Sequence, residues 1–299
     1  MNYVLLLLLC LMGCSTAFVL SSPLRDATTR ERHLLYNAYL DSLSASPPPS
    51  LSSSYGNKPA SRVSSSIIHA PISYFALEQL TSKGPRATAD WGAPHEATRK
   101  LADDGMLEAG SWWCSQGGWP SPNPKGHTEV FYVCRGHGCI SDADGVKHYF
   151  GPGDTVIIPK GHTGRWDVHE DIHKVWAVND HAQIEERDSP IRIKVIHFQD
   201  YHSNIGSPTG YAASTLSETV YNVGPTKVGI WNAPPGTVTR VTQTNRIWFL
   251  ILKGALVLAD DDGTVQVCEP GDSVMLPKGW SGYVNVKDEP VKKLWTEAQ

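Results

Sequence analysis

The strongest strand signal in the chain is Thr128-Glu129-Val130-Phe131-Tyr132-Val133-Cys134, a run rich in β-branched and aromatic residues that ends at Gly136. One carboxylate, Glu129, stands inside that apolar run. Gly153-Asp154 then opens a second run, Thr155 to Ile158, which closes at Pro159-Lys160-Gly161. Glycine and proline stand where the chain must reverse, and the runs between them favour strands. Ile191 to Ile196 alternates and predicts another strand. Ser73 to Leu80 predicts a short helix broken by Gly84-Pro85, and Asp90 to His95 reads as loop. Val4 to Met12 is almost wholly apolar but too short to span a bilayer as a stable helix.

The turn pattern occurs twice. Adding 118 to a position in the first stretch carries Trp113 to Trp231, Gly118 to Gly236, Gly136 to Gly254 and Gly145 to Gly263. It also carries Gly153-Asp154 to Gly271-Asp272, Pro159-Lys160-Gly161 to Pro277-Lys278-Gly279, and Lys174 to Lys292. Most matched residues are turn formers, so what repeats is a backbone path. A strand into a glycine turn, then Gly-Asp, then Pro-x-Gly at a strand end, predicts an all-β protein of two tandem double-stranded β-helix (jelly-roll) barrels. On these residues the chain resembles a bicupin, and its first copy is similar to the ureidoglycine-aminohydrolase-like (cupin 3) family. The resemblance implies the fold; it is weak for reaction, because cupins host many unrelated functions.

The expected organisation is a signal peptide over 1–17, a transit-like disordered segment over 18–70 and a leading arm over 71–104. Barrel 1 follows at 105–185, a structured linker at 186–224 and barrel 2 at 225–299. Ser15-Thr16-Ala17 offers a cut site after Ala17. Phe18 just beyond it resembles the signal-plus-transit leaders of algae with secondary plastids, although Pro23 lies further from Phe18 than in the common pattern and Asp26, Glu31 and Asp41 add more acid. The expected destination is therefore a plastid, with secretion as the alternative. No stable membrane span remains once the leader is removed.

Metal-binding cupins present imidazoles and a glutamate on one strand, with a further histidine after Pro-x-Gly. Glu129 lies where the resemblance places the motif glutamate, and His127, two residues earlier, shares its face because alternate strand residues do. Asn123, Lys125 and Gly164 stand at the other three corresponding positions, so the ligand set of ureidoglycine aminohydrolase is not reproduced and its activity does not carry over. A rearranged set of His127, Glu129 and His162 would suit Mn, Fe or Zn. Against it stands a Glu129 paired with Arg165, Lys174 or Tyr132, since an unpaired buried carboxylate costs several kcal/mol. Glu129 is the candidate catalytic residue, and Phe131, Trp113, Trp119, Trp166 and Lys174 are the candidate pocket. Trp112 joins the tryptophans if the barrel is a non-catalytic aromatic binding pocket. In the second copy Ile247 replaces Glu129, Asn245 replaces His127 and Trp280 replaces His162, so that barrel is expected to be structural.

The 299 residues, a net charge of −4 and the absence of a long basic run exclude a nucleic-acid electrostatic footprint. Ten tryptophans concentrate in the repeats, and the six cysteines form no metal or disulfide framework. Three functions stay open: a cupin-type lyase, isomerase or ureide/amide hydrolase acting on a small polar metabolite in barrel 1, a non-catalytic binder of such a ligand, or a structural protein. A homo-oligomer is a candidate assembly.

Overall fold

The structure, a computed structural model, describes residues 67–103, 105–179, 191–197 and 215–298. Its strands are β1 (Ile68–Ala70), β2 (Thr81–Pro85), β3 (Trp91–Gly92), β4 (His95–Asp103), β5 (Leu107–Cys114), β6 (Gly117–Ser121), β7 (Thr128–Arg135) and β8 (Gly138–Asp142). They continue with β9 (Lys147–Phe150), β10 (Thr155–Ile158), β11 (Gly164–Val168), β12 (Ile172–Asn179), β13 (Lys194–Ile196), β14 (Leu216–Val223) and β15 (Thr226–Ala233). The last are β16 (Val238–Thr242), β17 (Arg246–Lys253), β18 (Leu256–Asp260), β19 (Val265–Cys268), β20 (Ser273–Leu276), β21 (Ser281–Val286) and β22 (Val291–Ala298). The short helix expected near Ser73 is two 3₁₀ turns, Ile72–Phe75 and Leu77–Gln79.

Each barrel is a sandwich of a large and a small antiparallel sheet. The first pairs β13-β10-β7-β12-β5-β4-β2 with β3-β6-β11-β8-β9, and the second pairs β1-β20-β17-β22-β15-β14 with β16-β21-β18-β19. The expected leading arm thus contributes real strands to barrel 1, β4 pairing with β5 and Trp91–Gly92 with β6. The edges are exchanged. β1, ahead of barrel 1, pairs with β20 of barrel 2, and β13, on the way to barrel 2, pairs with β10 of barrel 1. The aspartate after each Gly-Asp turn receives a histidine from that region: His69 Nε2 is 2.7 Å from Asp272 and His197 Nδ1 3.2 Å from Asp154.

The long apolar runs are explained by packing on both faces. Phe131 and Val133 of β7 belong to the interior of barrel 1, whereas Val130 and Tyr132 pack with Val228, Trp248, Leu250 and Leu294 between the two large sheets. Asn179 Nδ2 donates to Glu297 O across that junction at 3.2 Å.

The turn equivalences expected at Gly136 and Gly254 and at Pro159 and Pro277 hold. Gly136 and Gly254 both have positive φ, 81° and 68°, and a Cβ would lie 2.2 Å from Asp171 O and 2.3 Å from Pro290 O respectively. The offset is not constant, however. It is 118 for β7, β8, β10 and β11, but Lys174 faces Trp112 while Lys293 faces Trp231, an offset of 119 for β5 and β12. Trp119 faces Trp166 where Thr239 faces Val284, an offset of 120 for β6. Three expected equivalences are therefore corrected: Trp231 matches Trp112 rather than Trp113, Lys174 matches Lys293 rather than Lys292, and Gly236 does not match Gly118. Small differences in loop length between the two copies account for these slips.

Candidate functional site

Glu129 enters the first barrel from β7 and is only 7 % exposed. Both of its oxygens are occupied. Lys174 Nζ donates to Oε1 at 2.6 Å, and Lys125 Nζ stands 2.7 Å from Oε2. Lys125 is placed by its own backbone, whose N–H donates to His162 O at 3.0 Å and whose carbonyl accepts from Gly161 N at 2.7 Å. Lys174 is aimed by the alternation of β12, which stays regular against β5: His173 turns to one face, with Nε2 2.6 Å from Ser111 Oγ, and Lys174 turns into the barrel. The register with β7 skips Cys134 at this point, a bulge on β7.

The floor and walls are aromatic. Lys174 Nζ lies 4.0 Å from the ring centre of Phe131, 4.7 Å from Trp166 and 4.8 Å from Trp112. Trp166 stacks on Trp119 at 6.0 Å and 11°, and Phe150 meets it edge-on at 6.0 Å. Arg86 lies 4.1 Å above Trp119 and pairs with Glu96 at 2.6 Å, while Trp112 Nε1 donates to Glu96 at 3.0 Å. These groups surround a cavity of about 360 Å³.

Charge decides what this cavity attracts. Its lining holds four cations, Lys83, Arg86, Lys125 and Lys174, against three carboxylates, Glu96, Glu108 and Glu129, which leaves one net positive charge. Burial alone would push the Glu129 carboxyl up, but Lys125 and Lys174 outweigh it and hold the group well below the usual carboxylate range. Glu129 is therefore ionised at neutral pH. Burial drives the Lys174 ammonium down from its ordinary value, and Glu129 opposes that shift.

Comparison with known proteins agrees with this architecture. The EutQ-like cupin domain (cupin 3) pattern matches residues 101–176 and 222–295, half of the chain. The chain belongs to this family. It is a bicupin, one matched segment in each barrel. Among solved structures it is similar to the putative glyoxylate induced protein of Pseudomonas aeruginosa, at 15% identity over 82% of this chain and 94% of that one, with a TM-score of 0.58. It is also similar to a cupin 2 conserved barrel domain protein of Leptotrichia buccalis, at 12% identity, 68% and 89% coverage and a TM-score of 0.53. A salicylate 1,2-dioxygenase of Pseudoaminobacter salicylatoxidans, in complex with gentisate, matches at 14% identity, 67% and 74% coverage and 0.51. At these identities the likeness is one of fold. No curated protein matches the chain.

The residues of this bicupin do not fit a metal of the kind that the cupin resemblance implies. Lysine ammonium groups already engage both Glu129 oxygens, and Lys125 occupies a position where metal-binding relatives place a ligand. At Gly164, where a late histidine would be needed, a Cβ would stand 1.9 Å from Ser141 O. Among the described residues no cluster of three His, Cys, Asp or Glu could hold an ion.

The expected metal set does not assemble. His127 lines the cavity beside Glu129, but His162 turns away and its Nε2 meets Asp142 Oδ1 at 2.9 Å. Asp142 also holds His148 at 2.7 Å, Arg192 at 3.1 Å and the Ile193 N–H at 3.2 Å, anchoring the segment before β13 to the barrel. Of the expected pocket, Trp119, Trp166 and Lys174 line the cavity, and Phe131 forms the floor beneath Lys174. Trp113 is displaced by Trp112, because the alternation of β5 puts Trp113 on the opposite face. Arg165, a candidate partner of Glu129, pairs instead with Asp90 at 2.6 Å and Asp167 at 2.8 Å. Sequence reasoning overlooked Lys125 as a partner, although residues 125, 127 and 129 alternate toward one face. Arg86 and Glu96 had no sequence signal, since only the folded arm brings them to the mouth.

Among the described residues no helix is long and apolar enough to cross a membrane.

Proposed function

We propose that the first barrel of this bicupin binds a small polar metabolite through an anionic group, a carboxylate above all, with its less polar part against the tryptophans. The observation that carries this reading is the Lys125–Glu129–Lys174 triad. Two ammonium groups on one buried carboxylate leave a positive charge in a cavity walled by aromatic rings, and a ligand carboxylate compensates it. Each ammonium has three N–H donors, so a hydrogen bond to Glu129 does not exhaust either lysine. A cavity of about 360 Å³ suits a small metabolite.

Glu129 serves in this reading as the ionised post that holds the two lysines, not as a proton donor. If the ligand is converted, Lys125 is the side chain placed to exchange a proton with it, being 24% exposed where Lys174 is 6%. Small ureido acids, the class that the ureidoglycine-aminohydrolase resemblance suggests, carry the required single carboxylate. Titration calorimetry with a panel of small carboxylates tests the proposal. Binding is expected for wild type and at least tenfold weaker binding for Lys125→Met; equal affinity in the variant refutes the assignment.

We also propose delivery to a plastid through residues 1–70. The support is the apolar run ahead of Ala17-Phe18, which lies outside the described residues. Fusing residues 1–75 to a fluorescent protein in an alga with a secondary plastid tests it. Export of the fusion, or unchanged import after Phe18→Ala, defeats the proposal.

A further inference from the structure

The second barrel repeats half of this site. Lys293 lies 4.2 Å from the ring centre of Phe249 and 4.8 Å from Trp231, as Lys174 lies 4.0 Å from Phe131 and 4.8 Å from Trp112. It faces Ile251 on β17 as Lys174 faces Val133 on β7. The main chain at Gln243 donates to Trp280 O at 2.8 Å as Lys125 does to His162 O, so Gln243 stands where Lys125 stands. The carboxylate is gone, because Ile247 fills the place of Glu129. Lys293 keeps its aromatic floor and, among the described residues, makes no ion pair with a carboxylate.

The interior is also opened on one side. Trp119 and Trp166, stacked in barrel 1, give way to Thr239 and Val284. Lys293, Trp231, Val241 and Trp295 are each only partly buried.

We propose that the second barrel is a separate ligand site, in which Lys293 binds the carboxylate of a small monocarboxylate whose apolar body lies against Trp231 and Trp295. The ligand supplies the negative charge that Glu129 supplies internally in the first barrel. This does not depend on the reading of barrel 1.

A proton linkage sets the two sites apart. Burial pushes the Lys293 ammonium down to about 8. Among the described residues no charged group facing it reverses this. Ile247 and Phe249 of β17, Val274 and Leu276 of β20, Thr239 and Val241 of β16, and Val284 of β21 carry no charge. Cys268 of β19 is a thiol pushed up to about 12. Asp260 of β18 is tied to Trp280 Nε1. Glu297, further along β22, pairs with Lys227 of β15 at 3.2 Å. A bound carboxylate favours the charged amine, so binding at pH 8 should take up about half a proton, and affinity should fall about tenfold between pH 7 and pH 9.

Calorimetry with benzoate and propionate at pH 8, in two buffers of different ionisation enthalpy, measures that uptake directly. Wild type should show a binding component that takes up protons, retained in Lys125→Met and lost in Lys293→Met. Lys293→Arg, which keeps the charge and cannot deprotonate, should bind without proton uptake. The proposal is overturned if Lys293→Met binds with unchanged stoichiometry and uptake, or if neither acid binds with proton uptake. A wild type that shows the Lys293 component but no component weakened by Lys125→Met would count against the first-barrel reading alone.

Discussion

Replacing Glu129 by Gln keeps the side-chain shape and removes one negative charge from between two ammonium groups. The consequences differ for the two lysines. Lys125 is 24% exposed and can swing into water, whereas Lys174 is 6% exposed and remains enclosed. Removing one partner of a buried pair costs about 3–5 kcal/mol, because the other charge is stranded. The rings of Phe131, Trp112 and Trp166 still face the Lys174 ammonium, and contacts of this kind are each worth roughly 0.5–2 kcal/mol. The expected cost is therefore at the low end, about 3 kcal/mol, or a fall in Tm of about 6–12 °C for a unit of this size. Thermal melts of wild type, Glu129→Gln, Lys174→Met and the double variant measure it, and the double variant should cost less than the two single changes together. The pH dependence has a definite sign. The folded carboxyl titrates below its ordinary value of 4.5, so its stabilisation is complete above that value and is lost as pH falls below it. Glu129→Gln should flatten that acid limb. A Glu129→Gln protein that melts within about 1 °C of wild type, with its acid limb unchanged, would show that Glu129 does not stabilise the buried lysines.

Other predictions concern the frame around the site. Burial pushes His173 down to about 3, with Arg135 adding to the shift, so the folded ring stays neutral while the unfolded one takes a proton below about 6.5. Stability should fall between pH 6.5 and 3, and His173→Gln should reduce that slope in urea melts. Gly136→Ala and Gly254→Ala each place a Cβ within 2.3 Å of a carbonyl at positive φ and should each destabilise by roughly 2 kcal/mol or more by chemical denaturation.

The turns were legible in the sequence because glycine and proline there answer to backbone geometry, and those positions carried the two barrels correctly. The inward face of β7 was legible for the same reason: Glu129 interrupts an apolar run, and strand alternation fixes which neighbours share its side. What failed depended on register. A slip of one residue turns every side chain of a strand to the other face, and the offsets of 119 in β5 and β12 and 120 in β6 were invisible to a comparison anchored on turns. Trp113 was therefore read for Trp112, and Lys292 for Lys293, which hid the second barrel's lysine. His162 could not be placed from parity because it precedes β11 and follows the Pro159 turn, where the chain is not extended. Glu96 reaches the cavity through the pairing of β4 with β5, and Arg86 through its backbone bond to Pro94 and its ion pair with Glu96.

The first cavity is proposed to be an anion site built on two lysines and an ionised glutamate. The most direct measurement is anomalous diffraction from a crystal soaked in bromide. A bromide is expected in the first barrel within hydrogen-bonding reach of Lys125 Nζ, with Lys174 still on Glu129. A transition-metal peak bonded to Glu129 and His127, with the lysines displaced, would contradict it.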